Sequence, residues 1–95
     1  MNASLCPIAK FRLGRIVTTP PALASLTRDD ITAGIVRHMA GDWGDVGEAD
    51  RAENERALKE GLRLFSVYHT ENGVKFWIIT EADRSITTVL MPEDY

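Results

Sequence analysis

The strongest constraint on the fold is a hairpin signal in the C-terminal third of the chain. Two runs rich in β-branched and aromatic residues, 62–70 and 74–80, flank the dipeptide Asn72-Gly73. Asn-Gly is the favoured pair for a two-residue type I′ turn, whose twist matches that of the strands on either side. We therefore predict a β-hairpin in which Asn72 and Gly73 form the whole loop.

That register assigns every side chain of the hairpin to one of two sheet faces. Tyr68 pairs with Trp77, and the expected core face carries Phe65, Val67, His69, Phe76 and Ile78. The other face carries Leu64, Ser66, Tyr68, Lys75, Trp77 and Ile79. Unless the helices cover it, an aromatic face of this kind is typical of a protein-binding centre. The candidate binding residues are Tyr68, Trp77, Ile79 and Lys75, with Glu81 and Arg84 of the next turn as rim contacts.

Strand and helix signals also occur outside the hairpin. Strands are indicated at 11–19, where a Pro-Pro pair ends the run, and at 86–91. A helix is predicted over about 28–40, because Thr27 can cap it with an acidic residue three positions later. A second helix is predicted over about 48–60, on the surface because its apolar residues are few and small.

These elements predict a single α+β domain over residues 11–95, with a four-stranded, mainly antiparallel sheet and two helices. Residues 1–10 show no periodicity and are expected to form a loose arm. No apolar run approaches the roughly 20 residues of a membrane span, and the single cysteine, Cys6, cannot form an internal disulfide. We therefore expect a cytoplasmic protein without a membrane partner. No glycine-rich phosphate loop is present, so no cofactor is expected.

The net charge of −3 is unevenly distributed along the chain. Residues 1–28 contain four basic side chains, Lys10, Arg12, Arg15 and Arg28, and no acidic one. Two roles are open to this basic head: contact with phosphate, or folding back onto the acidic helices. We expect the second, because residues 29–60 contain nine acids against four bases. The predicted acidic surface consists of Asp42, Asp45, Glu48, Asp50 and Glu53. It argues against direct nucleic-acid binding, and its spacing does not match a calcium loop, so no metal site is expected.

The two histidines allow an enzymatic alternative. A half-buried structural role is the simpler interpretation of His38, since a cation near a helix C-terminus is favourable, and of His69 near the hairpin tip. If both lay in one cleft with Arg84, they would supply an acid, a base and a phosphate clamp for RNA cleavage. The order of helices followed by an antiparallel meander is similar in outline to barnase-like and RelE-like ribonucleases, although no motif of theirs matches.

Three segments carry a resemblance to a known family: residues 41–44 (GDWG), 77–85 (WIITEADRS) and 87–95 (TTVLMPEDY). They resemble small proteins of bacterial plasmids and integrated elements, some of them labelled plasmid-related protein or type I restriction–modification subunit. The resemblance covers about residues 12–95. The family has no established activity, so the resemblance implies a habitat and no catalytic residues.

Three functional hypotheses follow. The first is a non-catalytic accessory protein of a mobile element that binds a host protein, for example a counter-defence inhibitor that blocks a nucleic-acid-binding groove. The second is a small metal-independent ribonuclease that uses His38, His69 and Arg84. The third is a homodimer that pairs through the same sheet face.

Overall fold

The structure, a computed structural model, describes residues 9–95 and contains one four-stranded sheet packed against helices. In chain order the elements are β1 (Arg15–Thr18), α1 (Pro20–Ser25), α2 (Arg28–Met39), α3 (Glu48–Glu60), β2 (Leu64–His69), β3 (Lys75–Thr80), β4 (Ile86–Leu90) and a 3-10 turn (Pro92–Asp94). The strand order is β1-β4-β3-β2. The predicted α+β class is confirmed, with one difference: β1 runs parallel to β4, so the sheet is mixed.

The helix boundaries follow from their capping residues. Thr27 and Asp30 form the predicted capping box of α2, and Gly61, at φ 69°, ends α3. The sequence analysis missed α1, because the Pro-Pro pair was taken only as the end of a strand. Thr19 caps this helix, and its first two positions are prolines, where a missing N–H has no cost. No helix of the described residues is long and apolar enough to cross a membrane.

The predicted loose arm over residues 1–10 lies almost entirely outside the described residues. Of that segment the structure describes only Ala9 and Lys10. The backbone N–H of Lys10 donates to the carbonyl oxygen of Met39 at 2.8 Å, which ties the chain to the C-terminal end of α2. The chain then continues through Phe11 toward β1.

The hairpin is present, but its predicted register is wrong by one residue. Its loop has three residues, since Thr70 pairs with Val74 through an N–H···O bond of 2.9 Å. Gly73 donates its N–H to the Thr70 oxygen at 2.9 Å and adopts a φ of +83°, the pattern of a type I turn followed by a left-handed glycine. Asn-Gly therefore forms the end of a three-residue loop here. The slip pairs Tyr68 with Phe76 and Val67 with Trp77.

Because side chains alternate along a strand, the slip redistributes the two faces. One face carries Leu64, Ser66, Tyr68, Phe76, Ile78 and Thr80, and the other carries Phe65, Val67, His69, Lys75, Trp77 and Ile79. The expectation that Tyr68 shares a face with Trp77 is therefore wrong. We call the first the helix-covered face and the second the open face.

The helices close the helix-covered face. Its core consists of Ala22, Leu26, Tyr68, Phe76, Ile78, Val89 and Met91, with Ile31 and Ile35 of α2 packed against it. Gly34 allows α2 to approach the sheet closely, because a Cβ built at this position lies 2.9 Å from Phe76 Cε2.

The outer edge of β2 is also covered. Val67 donates its N–H to the Trp43 oxygen at 3.1 Å and accepts from Asp45 N–H at 2.8 Å, so the loop after α2 pairs with the strand. Asn54 of α3 continues this pairing, since its side-chain amide donates to the Phe65 oxygen at 2.7 Å and accepts from the Phe65 N–H at 3.0 Å. A buried amide therefore takes the place of a neighbouring strand.

Replacing Asn54 with alanine is expected to destabilise the protein by about 2–3 kcal/mol, because both backbone groups of Phe65 lose their partner. Urea unfolding followed by far-ultraviolet circular dichroism measures the change. Glu53→Ala, on the exposed side of the same helix, serves as the control and should change stability by less than about 0.5 kcal/mol. Equal stabilities for the two variants would contradict this role of Asn54.

Candidate functional site

An apolar cleft lies on the open face, between the ends of β2 and β3 and the C-terminal residue. It is lined by Arg63, Phe65, Trp77, Ile79 and Tyr95 and has a volume of about 230 Å³. The Phe65 and Trp77 rings meet edge to face with centroids 5.0 Å apart. The Trp77 and Tyr95 rings meet in the same way at 5.7 Å. We call this the aromatic cleft.

The fold brings these side chains together through the corrected register and the chain end. Phe65 of β2 pairs with Ile79 of β3, and Trp77 lies two residues before Ile79 on the same face of β3. The 3-10 turn after β4 then places Tyr95 against Trp77. Asp94 holds this turn, since its carboxylate accepts from the Met91 N–H at 3.0 Å and from the Thr19 hydroxyl at 2.7 Å.

A polar rim borders the aromatic cleft on one side. Arg63 forms two hydrogen bonds of 3.3 Å to the carboxylate of Glu81 and donates to the Tyr95 hydroxyl at 2.7 Å. The bond to Glu81 is the main cause that raises the pKa of Arg63. Both side chains remain almost half exposed. The rim can therefore offer hydrogen bonds to a bound group while the floor of the cleft stays apolar.

The predicted protein-binding residues divide into two groups. Trp77 and Ile79 line the cleft, Lys75 lies on the same face further along β3, and Glu81 belongs to the rim. Tyr68 does not belong to this site. Its side chain is 2% exposed on the helix-covered face, where its hydroxyl donates to the backbone carbonyl oxygen of Asp42 at 2.5 Å. Burial is the main cause that raises the pKa of Tyr68 to about 12.

Sequence reasoning missed three residues of the cleft: Arg63, Phe65 and Tyr95. Phe65 was assigned to the core face only because of the one-residue slip in register. Arg63 was outside the predicted faces, although its position immediately before β2 places it at the same sheet end as Glu81. No periodic pattern includes Tyr95, because the turn that positions it depends on contacts of Asp94 with Thr19, 75 residues earlier in the chain.

Arg84 has a structural role and does not form part of the rim. Its backbone is left-handed, with φ at 61°, and its guanidinium donates to the carbonyl oxygens of Ala57 at 3.1 Å and Leu62 at 2.7 Å. It also bonds the carbonyls of its own turn at Glu81 and Ala82. These contacts satisfy carbonyls at the end of α3. The proposed rim contact and phosphate clamp at Arg84 are not supported, since both terminal nitrogens of its guanidinium already bond to carbonyl oxygens of the protein.

His38 lies in the core, completely buried, within a chain of polar side chains. Thr87 donates its hydroxyl to the Leu13 carbonyl at 2.6 Å, so Thr80 must donate to Thr87, 2.7 Å away. His38 Nε2, 2.9 Å from the Thr80 oxygen, then carries a proton, and Nδ1 accepts from Ser66 at 2.6 Å. The network therefore places a proton on Nε2, and in the neutral ring Nδ1 is the acceptor.

Burial lowers the pKa of His38 to about 3, and the positive charge of Arg84 adds to this effect. The prediction that His38 is half-buried and positively charged at the end of α2 is therefore wrong. His38 is neutral at physiological pH because the core excludes water and offers no carboxylate partner.

The three residues of the ribonuclease hypothesis do not come together in one cleft. His69 is exposed and pairs with Asp45 at 2.6 Å, on the opposite sheet face from the buried His38 network. It lines a larger groove of about 520 Å³ between α2 and the hairpin tip, and neither His38 nor Arg84 contributes to that groove. The arrangement lacks the shared site that proton transfer requires.

That groove contains charged groups that already have partners within the protein. Arg37 forms a bidentate pair with Asp42 at 2.8 and 3.2 Å, and its guanidinium stacks over Tyr68 at 4.6 Å. This pair raises the pKa of Arg37 and lowers that of Asp42. Asp30 accepts from Thr27 in the capping box. Asp29 and Glu71 also line this groove, so its lining is more polar and more acidic than that of the aromatic cleft.

The predicted acidic surface is distributed over two elements. Asp42 and Asp45 lie in the loop after α2 and pair with Arg37 and His69. Glu48 and Asp50 lie in the first turn of α3, and Glu53 pairs with Arg56 on the same helix. Within residues 9–95, no group of three or more histidine, cysteine or acidic side chains is arranged to hold a metal ion.

The basic head does not form the expected pairs with the acidic helices. Lys10, Arg12, Arg15 and Arg28 are all exposed, and none of them forms an ion pair in the described part of the chain. Their positive charge therefore faces solvent.

Comparison with protein-family models, with curated proteins and with solved structures finds no match for this chain. The functional interpretation therefore depends on the geometry of the aromatic cleft and of the surrounding surfaces.

Stability is expected to decrease as the pH falls below 6.5. The unfolded chain binds a proton at His38 with an ordinary pKa of 6.5, whereas the folded chain resists it down to about pH 3. Each pH unit in this range costs up to roughly 1.4 kcal/mol, and because the unfolded histidine is half protonated at pH 6.5, the loss between pH 6.5 and 5 is about 1.6 kcal/mol. Urea unfolding at pH 7.5, 6.5, 5.5 and 5.0 measures it.

The second histidine provides the control. His69→Gln should retain the slope of wild-type stability with pH, while His38→Gln should lose most of it. If the slope followed His69 instead, the assignment of a neutral, buried His38 would be wrong.

Proposed function

We propose that the protein is a non-catalytic binding module whose aromatic cleft takes an apolar or aromatic side chain of a partner protein. The observation that supports this most directly is the cleft itself, with Phe65, Trp77, Ile79 and Tyr95 around an apolar space and Arg63 at its rim. Tryptophan, tyrosine and arginine are the residues most enriched at the energetic centres of protein interfaces. An apolar floor with a polar rim is the usual anatomy of such a centre.

The size of the cleft favours a side chain over a free metabolite. Small-molecule sites usually enclose about 300–1,000 Å³, whereas this cleft measures about 230 Å³ and opens to solvent on the sheet surface. One leucine, phenylalanine or tryptophan side chain of a partner fits such a space. The rest of the open face then supplies the surrounding contact area.

The chemistry of the cleft supports binding without catalysis. Its ionisable groups are Arg63, Glu81 and Tyr95, and all three are engaged with one another. Among residues 9–95, the group with a strongly lowered pKa, His38, lies buried under the other face of the sheet. The ionisable groups of the rim are therefore held by one another, an arrangement that suits binding better than proton transfer.

The acidic helix beside the cleft supports a more specific version of the proposal. α3 lies along β2, because Asn54 bonds to the backbone of the cleft residue Phe65. Its exposed Glu48, Asp50 and Glu53 would face a partner that docks on the cleft from that side. Together with the resemblance to mobile-element proteins, this suggests an accessory protein that blocks a basic, nucleic-acid-binding groove of a host protein.

The test is a quantitative capture experiment with variants of the cleft. Tagged wild type, Trp77→Ala, Tyr95→Ala and the control Leu23→Ala are incubated with nuclease-treated bacterial lysate, and bound proteins are quantified by mass spectrometry. Leu23 is an exposed apolar residue on α1 and does not line the cleft. We expect to find one protein whose recovery falls roughly tenfold or more with both cleft variants, because the loss of a hot spot costs about 2 kcal/mol or more of binding free energy. The Leu23→Ala variant should recover this protein as wild type does.

Three outcomes would contradict the proposal. The first is equal recovery of the partner by the cleft variants and wild type, and the second is recovery of RNA without protein before nuclease treatment. The third is a mass in solution of twice 10.6 kDa that reverts to the monomer value in Trp77→Ala. That last result would assign the cleft to a homodimer interface.

A further inference from the structure

A second surface able to bind a partner is the outer edge of β1, at the opposite end of the sheet from β2. Arg15 and Thr19 donate their N–H groups toward β4, to Ser85 and Val89 at 2.9 and 3.0 Å. Because backbone groups alternate along a strand, the N–H and C=O of Ile16 and Thr18 point away from β4. Among the described residues, no strand lies beyond β1.

The two edges of the sheet differ in how far other parts of the chain cover them. The β2 edge is covered by the Trp43–Asp45 loop and by Asn54, which together bond to the backbone of Phe65 and Val67. Within residues 9–95, the β1 edge has no such cover, and Ile16 on it is 48% exposed. An exposed edge with outward N–H and C=O groups is a template for one more strand.

The side chains beside this edge select the chemistry of that strand. Arg12 and Arg15 are exposed, and neither forms an ion pair within the described part of the chain. Ile86 of β4, which pairs with Arg15 of β1, is 37% exposed. The edge thus presents apolar contacts and positive charge, which complement an extended segment that carries both β-branched and acidic residues.

We propose that the β1 edge binds an extended acidic segment of a partner protein as a fifth strand, at a surface separate from the aromatic cleft. The backbone groups of Ile16 and Thr18 supply the hydrogen bonds, and Arg12 and Arg15 contact acidic side chains of the segment. A second copy of this chain is less well suited, because pairing two β1 edges brings like charges together. A phosphate backbone is less well suited too, since it cannot match both the donors and the acceptors of a strand.

The test uses ¹⁵N-labelled full-length protein and two synthetic peptides, acetyl-EVTVEVE-amide and its lysine counterpart acetyl-KVTVKVK-amide. On addition of the acidic peptide we expect downfield shifts of the Ile16 and Thr18 amide protons and slower hydrogen exchange at both. The lysine peptide should produce neither effect. Arg15→Glu should weaken the binding of the acidic peptide roughly tenfold or more, and added salt should weaken this binding as well.

A backbone substitution separates strand pairing from charge. Thr18→Pro removes the outward N–H without touching the bonds to β4, so it should abolish binding, while Thr18→Val keeps the N–H and should bind like wild type. Folding of each variant is checked from its spectrum. Trp77→Ala should leave peptide affinity unchanged, which distinguishes this site from the aromatic cleft.

Four results would overturn the proposal. Equal binding of both peptides would remove the charge argument, and shifts confined to the cleft or hairpin would remove the site. Concentration-dependent shifts of Ile16 and Thr18 without peptide would show that a second copy occupies the edge. Stronger shifts with single-stranded oligonucleotide than with the acidic peptide would assign the basic residues to nucleic acid.

Discussion

A neutral histidine in the core holds together the segments on which the rest of the structure depends. The His38 ring on α2 joins Ser66 of β2 to Thr80 of β3, and Thr80 continues through Thr87 of β4 to the Leu13 carbonyl. The Thr80 and Thr87 hydroxyls have one proton each, so the chain fixes a proton of His38 on Nε2. A charged imidazole would place a second N–H against Ser66 in a site without a carboxylate, at a high desolvation cost.

This network explains why one sheet face is closed and the other carries the candidate site. α2 is fixed over the sheet by His38 and approaches it closely at Gly34, so the aromatic side chains Tyr68 and Phe76 are buried beneath it. The open face is covered less completely. Val67 is buried in a second apolar cluster with Trp43, Val46, Ala57 and Leu64, against which Phe65 and Trp77 pack, and the C-terminal turn positions Tyr95 against Trp77. Function is therefore expected where packing is least complete, on the open face.

The sequence analysis succeeded where local chemistry determines structure. The start of α2 was predicted correctly, because its capping box joins Thr27 to Asp30, three residues later in the chain. The predicted register was wrong because Asn-Gly is compatible with two loop lengths. A type I′ turn needs a positive φ at both Asn72 and Gly73, whereas here Gly73 has a positive φ and Asn72 does not. One residue of slip moved Tyr68 to the wrong face.

The most direct test of the account is the protonation state of the two histidines, measured by long-range ¹H–¹⁵N correlation spectroscopy of the imidazole rings between pH 7.5 and 5. The structure predicts that His38 remains neutral throughout, with the proton on Nε2 and Nδ1 accepting from Ser66. Titration of His38 near pH 6.5, or a proton on Nδ1 in the neutral ring, would contradict the account, because the network that closes the helix-covered face would then not exist.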